Sequence, residues 1–178
     1  TIINEIFETS KNYSCKIIYP EDVLTGKNIN DTSQAKELNN IKEDDLILDI
    51  GPNTVNKIKK IIDISETVLW NGPAGYFENP NFANGSYEIA KAIVKKNKDK
   101  SIYSVVGGGD TIALLNQINA IKDFNFVSTA GGAFLEYLEG KELPISSYRI
   151  QGESLIYLTL YHCLLIFLNI SSFQFLSD

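Results

Sequence analysis

Along this chain an apolar, strand-length run repeatedly meets a glycine-bearing turn and then a segment with helical spacing. The runs are Leu46-Ile47-Leu48-Asp49-Ile50 before Gly51-Pro52, and Thr67-Val68-Leu69-Trp70 before Asn71-Gly72-Pro73. Ile102 to Val106 precede Gly107-Gly108-Gly109, and Phe126-Val127-Ser128 precede Gly131-Gly132. Strands alternating with helices predict an α/β fold with a parallel sheet covered on both faces. Short, nearly continuous apolar strands are what double coverage demands.

The segments between these runs read as helices. Asn53 is a candidate cap for a helix with Val55, Ile58, Ile61 and Ile62 on one face and Lys57, Lys59 and Lys60 opposite. A second runs from Asn84 or Ser86 to Lys98, with Ile89, Ala90, Ile93 and Val94 as its buried stripe. Its closing Lys95, Lys96 and Lys98 suit the negative end of the helix dipole and read as a solvated helix end. Residues 1–13 predict another helix, and Lys16 to Tyr19 a short strand. Residues 20–45, polar and broken by Pro20 and Gly26, predict a connecting segment with little regular structure.

Composition narrows the class. The 178 residues are 44% hydrophobic and 21% charged, the profile of a soluble globular chain with a real core. A net charge of −6 argues against nonspecific binding to nucleic acid. Two cysteines, Cys15 and Cys163, build neither a disulfide framework nor a metal cluster, so a reducing, cytoplasmic setting is expected. A monomer is expected as well. No basic start followed by an apolar stretch marks a signal peptide. No methionine occurs, so Thr1 is no unprocessed start; either methionine removal or an N-terminal portion outside this sequence is expected.

The last stretch breaks the pattern. Ser154 to Ser177 contains no charged residue and is dominated by Leu, Ile, Phe and Tyr. It reads first as aberrant sequence unrelated to the rest, second as a membrane anchor by its length, and third as core. The domain is therefore drawn as residues 1–150, with 151–178 as an apolar tail of uncertain status. His162, the one histidine, falls in that tail, so no Ser-His-Asp or Cys-His site is built on it.

In an open parallel sheet, ligands bind beyond the carboxyl ends of the strands. A glycine turn there exposes backbone N–H groups in front of a helix N-terminus and welcomes anions. Gly107-Gly108-Gly109 and Gly131-Gly132 fit that description best. The dinucleotide fingerprint fails because Ile112 stands where its third glycine belongs. The Walker loop fails too, since Gly26-Lys27 leads to Asn28 and Gly140-Lys141 to Glu142. Asp110 reads either as the cap of the helix that follows or as a functional acid. A carboxylate beside phosphates is favourable when Mg²⁺ lies between them, because the ion takes hard oxygens from both. Asn71-Gly72-Pro73-Ala74-Gly75-Tyr76-Phe77-Glu78 forms a rigid loop whose Glu78 could accept from ribose hydroxyls, or merely sit exposed. Trp70 reads as core.

Taken in order, these stretches resemble the C-terminal, nucleotide-binding domain of phosphoglycerate kinase over roughly residues 1–145. The resemblance rests on Asp49-Ile50-Gly51-Pro52, Leu69 to Glu78, Val105 to Thr111, Val127 to Ala133 and Leu138 to Pro144. It implies an incomplete Rossmann-like three-layer domain, acting in glycolysis by phosphoryl transfer between 1,3-bisphosphoglycerate and ADP to give 3-phosphoglycerate and ATP. It further implies that Asn71, Pro73, Gly75 and Tyr76 line the nucleotide site and that Glu78 binds ribose. Gly107, Gly108 and Gly109 would follow the phosphates of ADP or ATP, Asp110 would hold magnesium with the nucleotide, and Thr111 would lie beside it. Gly131 and Gly132 would approach the transferring phosphoryl group as the catalytic pair. Tyr76, Ala74, Ala130 and Phe134 depart from the usual family residues. The family's phosphoglycerate-binding N-terminal domain has no counterpart in the sequence. The expectation is therefore a fragment, inactive alone, that binds Mg-nucleotide; the alternative is a non-catalytic remnant that binds it weakly or not at all.

Overall fold

The computed structural model describes residues 2–13, 15–128 and 163–167. Its elements run α1 (Ile2–Asn12), β1 (Asp22–Gly26), β2 (Gln34–Glu37), β3 (Leu46–Ile50), α2 (Pro52–Ile64), β4 (Thr67–Asn71), α3 (Asn84–Lys98), β5 (Tyr103–Gly107), α4 (Gly109–Gln117), β6 (Phe126–Ser128) and β7 (Cys163–Phe167), with three short 3-10 turns between them.

Two sheets form. A parallel sheet has the order β6-β5-β4-β7, and a smaller antiparallel one has the order β2-β1-β3. The α/β class and the parallel pairing of β4, β5 and β6 agree with the sequence reading. β3 does not belong to that sheet. It pairs antiparallel with β1, a strand supplied by the polar segment before it, with Val23 opposite Ile50. Residues 20–45 are correspondingly more regular than expected, since they supply β1 and β2. The strand expected at Lys16 to Tyr19 is absent. Pro20 lacks the N–H a ladder needs, and pairing starts at Asp22 opposite Glu37.

The helices follow their apolar spacing. α2 buries Val55, Ile58 and Ile62, and α3 buries Ile89, Ala90 and Ile93, while α1 buries none of its residues. Asn53 is not the cap of α2. Gly51 holds that position, and the orphan N–H groups of Asn53 and Thr54 donate to Asp22 of β1 at 3.0 and 2.8 Å. A distant, buried carboxylate thus closes a helix whose own first residues cannot.

The core lies where α2, α3 and α4 meet the parallel sheet, built from Ile50, Ile62, Val68, Trp70, Ile89, Ile93, Val106, Leu114 and Leu115. Trp70 is fully buried with its ring centroid 6.3 Å from that of Phe124. Of the apolar tail, Cys163–Phe167 forms β7, parallel to β4 with Cys163 opposite Thr67. Among the described residues no helix is long and apolar enough to cross a membrane.

Candidate functional site at the carboxyl edge of the parallel sheet

β4 and β5 run parallel with Asn71 opposite Gly107, so the chain leaves both strands at the same edge. Past Gly107 it turns through Gly108, whose φ of 88° is one that side-chain-bearing residues rarely adopt. A Cβ at Gly108 would stand 2.5 Å from Asn71 Oδ1, so the bare backbone is what lets the Asn71 amide lie against the turn. Gly108→Ala should therefore lower stability by about 1–3 kcal/mol through backbone strain and displacement of Asn71, read as a lower denaturant midpoint at unchanged slope.

α4 starts at Gly109, and its first backbone bond runs from Ile112 N–H to the Gly108 carbonyl at 3.1 Å. The N–H groups of Gly109, Asp110 and Thr111 come before it and have no acceptor within the helix. They coincide with the positive end of the helix dipole, which favours an anion. Thr111 is buried, and its hydroxyl accepts the Gly72 N–H at 2.8 Å, fastening the loop after β4 to the start of α4.

Asp110 is exposed in the first turn of α4 and, among the described residues, makes no hydrogen bond or ion pair. The capping role read for it from sequence is not the one it has. Gly108 occupies the cap position, and Asp110 lies inside the helix, past the point from which a side chain can close the first turn. Among the described residues nothing occupies its carboxylate. Among the described residues no three His, Cys, Asp or Glu side chains converge to hold a metal by themselves. A single hard oxygen donor of this kind suits an ion whose remaining ligands come from a polyphosphate and water.

The loop from Asn71 to Glu78 is anchored at several points. Trp70 Nε1–H donates to the Gly72 carbonyl at 2.7 Å, Ala74 N–H to Ser86 Oγ at 2.8 Å, and Tyr76 N–H to the Leu48 carbonyl at 2.7 Å. Asn71, Gly107, Gly108 and Thr111 are thus brought together by direct contact or pairing, with Gly109 and Asp110 adjoining them. Pro73, Gly75 and Tyr76 are half-buried on the same anchored loop, whereas Glu78 is exposed and nothing ties it to α4. Gly131 and Gly132 lie outside the described residues. The sequence reading missed Ser86 and Leu48. A serine within the buried stripe of α3 was the available signal for the first; Leu48 acts through its carbonyl and left none.

A family model described as phosphoglycerate kinase matches residues 1–141. Relatives named phosphoglycerate kinase include one from Wolbachia pipientis subsp. Culex pipiens, 43% identical over 80% of this chain and 37% of the relative. Another, from Legionella pneumophila, is 44% identical over 76% of this chain and 34% of the relative. Among solved structures, phosphoglycerate kinase from Coxiella burnetii aligns with a TM-score of 0.73 and 36% identity, covering 79% of this chain and 36% of that one. The Pyrococcus horikoshii enzyme aligns with a TM-score of 0.65 and 31% identity, over 80% and 35% of the two chains. The chain spans about a third of the length of the curated relatives it matches.

Proposed function

The chain belongs to the phosphoglycerate kinase family, and on that premise we propose that it carries the C-terminal, magnesium-nucleotide half of such a kinase. The observation that carries this reading is Gly109. Its φ is not in the left-handed range, and a Cβ built on it would meet no atom of the described residues within 4 Å. Among the described residues neither packing nor backbone conformation demands glycine there, whereas close approach of a phosphate to the first-turn N–H groups would.

In this reading the polyphosphate of ADP or ATP lies across Gly107 to Gly109 at the N-terminus of α4, and the nucleoside extends along Asn71 to Tyr76. Thr111 holds the two loops in register through Gly72. Asp110 would hold Mg²⁺, which, when bound, neutralises phosphate charge as the phosphoryl group moves. Such transfers depend on positioning and charge stabilisation rather than on covalent catalysis by the protein. Gly131 and Gly132 are the proposed backbone donors nearest the moving phosphoryl group. The groups that bind phosphoglycerate are proposed to come from the part of the family's chain that the match leaves out, so this chain by itself binds nucleotide without turnover.

Calorimetric titration with MgADP, and with ADP in EDTA, tests the reading. The wild type should bind MgADP. Asp110→Ala should weaken MgADP about tenfold while changing metal-free ADP less than about twofold, as loss of one carboxylate ligand implies. Gly109→Ala should keep stability within about 0.5 kcal/mol of wild type, as for a surface change, yet weaken MgADP. A folded wild-type chain that gives no heat at millimolar MgADP would identify a remnant without nucleotide affinity and overturn the proposal.

A further inference from the structure

The loop from Asn71 to Glu78 has a second footing, in the antiparallel sheet. Asp49 of β3 is fully buried. Its Oδ1 accepts the N–H of Ile50 at 2.8 Å. Its Oδ2 accepts the N–H of Gly85 at 2.8 Å, a group in the first turn of α3 that has no helical acceptor. A Cβ at Gly75 would lie 2.5 Å from Asp49 Oδ1 and 2.6 Å from the Leu48 carbonyl oxygen, and a Cβ at Gly85 would also collide with the carboxylate. One glycine of the loop and one of α3 therefore close on the same anion. The neighbouring ties, Tyr76 N–H to Leu48 and Ala74 N–H to Ser86, join the same three elements.

Burying a carboxylate with no cation beside it is costly, and an apolar side chain would pack here more cheaply. We propose that Asp49 is the positioning residue of the nucleotide loop, fastening the start of α3 beneath Gly75 so that residues 71–78 keep their shape against α4. This rests on the nucleotide reading above; Asp49 itself touches neither nucleotide nor metal.

The charge state of Asp49 gives the test. Burial pushes its carboxyl up to about 7, opposed by the two backbone N–H bonds. The charged side chains on the surrounding elements, Asp22 on β1, Glu78 in the loop, and Glu88, Lys91, Lys95, Lys96 and Lys98 on α3, are not among the causes of this shift. Desolvation outweighs the two N–H bonds, so ionisation of the buried group favours any opening that brings it to water. Asp49→Asn keeps the shape but turns an amide NH₂ toward one of the two donors.

On the full chain, amide exchange without ligand is compared at Ala74, Tyr76 and Gly85, and MgADP affinity is followed from about pH 6 to about pH 8. At the lower pH, where the wild type is largely protonated, the Asn variant should exchange these amides, and release MgADP, about tenfold more readily, because its NH₂ meets a donor where the carboxyl accepts. The difference should fall below about threefold at the upper pH, where the wild-type carboxyl is ionised and its burial favours opening. Amides in the middle of β5 should not change. Equal protection of the three amides in both proteins, or a ratio of affinities that does not move with pH, overturns the proposal. If the Asn variant does not fold, the wild type decides alone: protection at these amides, corrected for intrinsic exchange, must fall from the lower pH to the upper, and constant protection overturns it. Absence of MgADP binding by the wild type would defeat the nucleotide reading, while the exchange measurement would still decide the part played by Asp49.

Discussion

Trp70→Ala should lower the stability of this chain by about 3–5 kcal/mol and release the loop that follows it. The side chain is fully buried in β4, close to Phe124, and no neighbour can collapse into the space that an indole leaves. Its N–H also holds the Gly72 carbonyl at 2.7 Å, so the residue that anchors the core is bonded to the first turn of the candidate site. Trp70→Phe separates the two roles. It keeps most of the buried ring and loses the bond, and should cost about 1 kcal/mol for the bond on top of a modest packing loss. Denaturant unfolding at constant slope measures both variants. An alanine variant within about 1 kcal/mol of wild type would mean that the core does not run through β4 as described.

The second large effect depends on pH. Asp49 holds its proton up to about 7 when folded, against an ordinary value of 3.8. Between those values the folded state keeps a proton that the unfolded state gives up, so stability must fall as pH rises through this window and then level off above it. A shift of this size corresponds to roughly 4 kcal/mol, at about 1.4 kcal/mol per unit. Asp31, Asp44 and Glu88 have carboxyls held below their ordinary values, by backbone N–H groups at Asp31 and by lysines at the other two. Their contribution is lost only as pH falls through and below the ordinary carboxylate range, so it does not mask the Asp49 window. Urea unfolding of the wild type from about pH 4.5 to pH 7.5 should show the decline, and Asp49→Asn should flatten it. A wild type as stable at the upper end as at the lower would show that the Asp49 carboxyl is not held neutral by burial. Together with the proposed anchoring role, this makes Asp49 a group that serves the site at a cost to the fold, a common trade at functional positions.

Much of this was legible in the residues because it is local. The spacing of Val55, Ile58 and Ile62 marks α2, that of Ile89, Ala90 and Ile93 marks α3, and the apolar runs ending in glycine mark β3 to β6. What escaped was tertiary. Leu46–Ile50 looks like its sister strands, and its partner β1 comes from a segment that no apolar run marks, so its place in the antiparallel sheet is set by tertiary pairing. Gln34–Glu37 carries no apolar signal because it is an edge strand open to solvent. The carboxylate that closes α2 comes from Asp22, some thirty residues before it, where no local capping rule looks. At the site, the glycines and Asp110 could be named in advance, but Ser86, Leu48 and Asp49 act on the loop from other elements. One hint was present: an aspartate in the middle of Leu-Ile-Leu-Asp-Ile is a charge where an apolar strand has no use for one.

If the edge formed by the β4 loop and the start of α4 binds magnesium nucleotide, titrating the isotopically labelled chain with MgADP should shift its backbone amide resonances saturably at Gly107 to Thr111 and at Asn71 to Tyr76, with β1, β2 and α1 unmoved. Shifts confined to other elements, or none at saturating MgADP in a folded sample, would mean that this edge is not a nucleotide site.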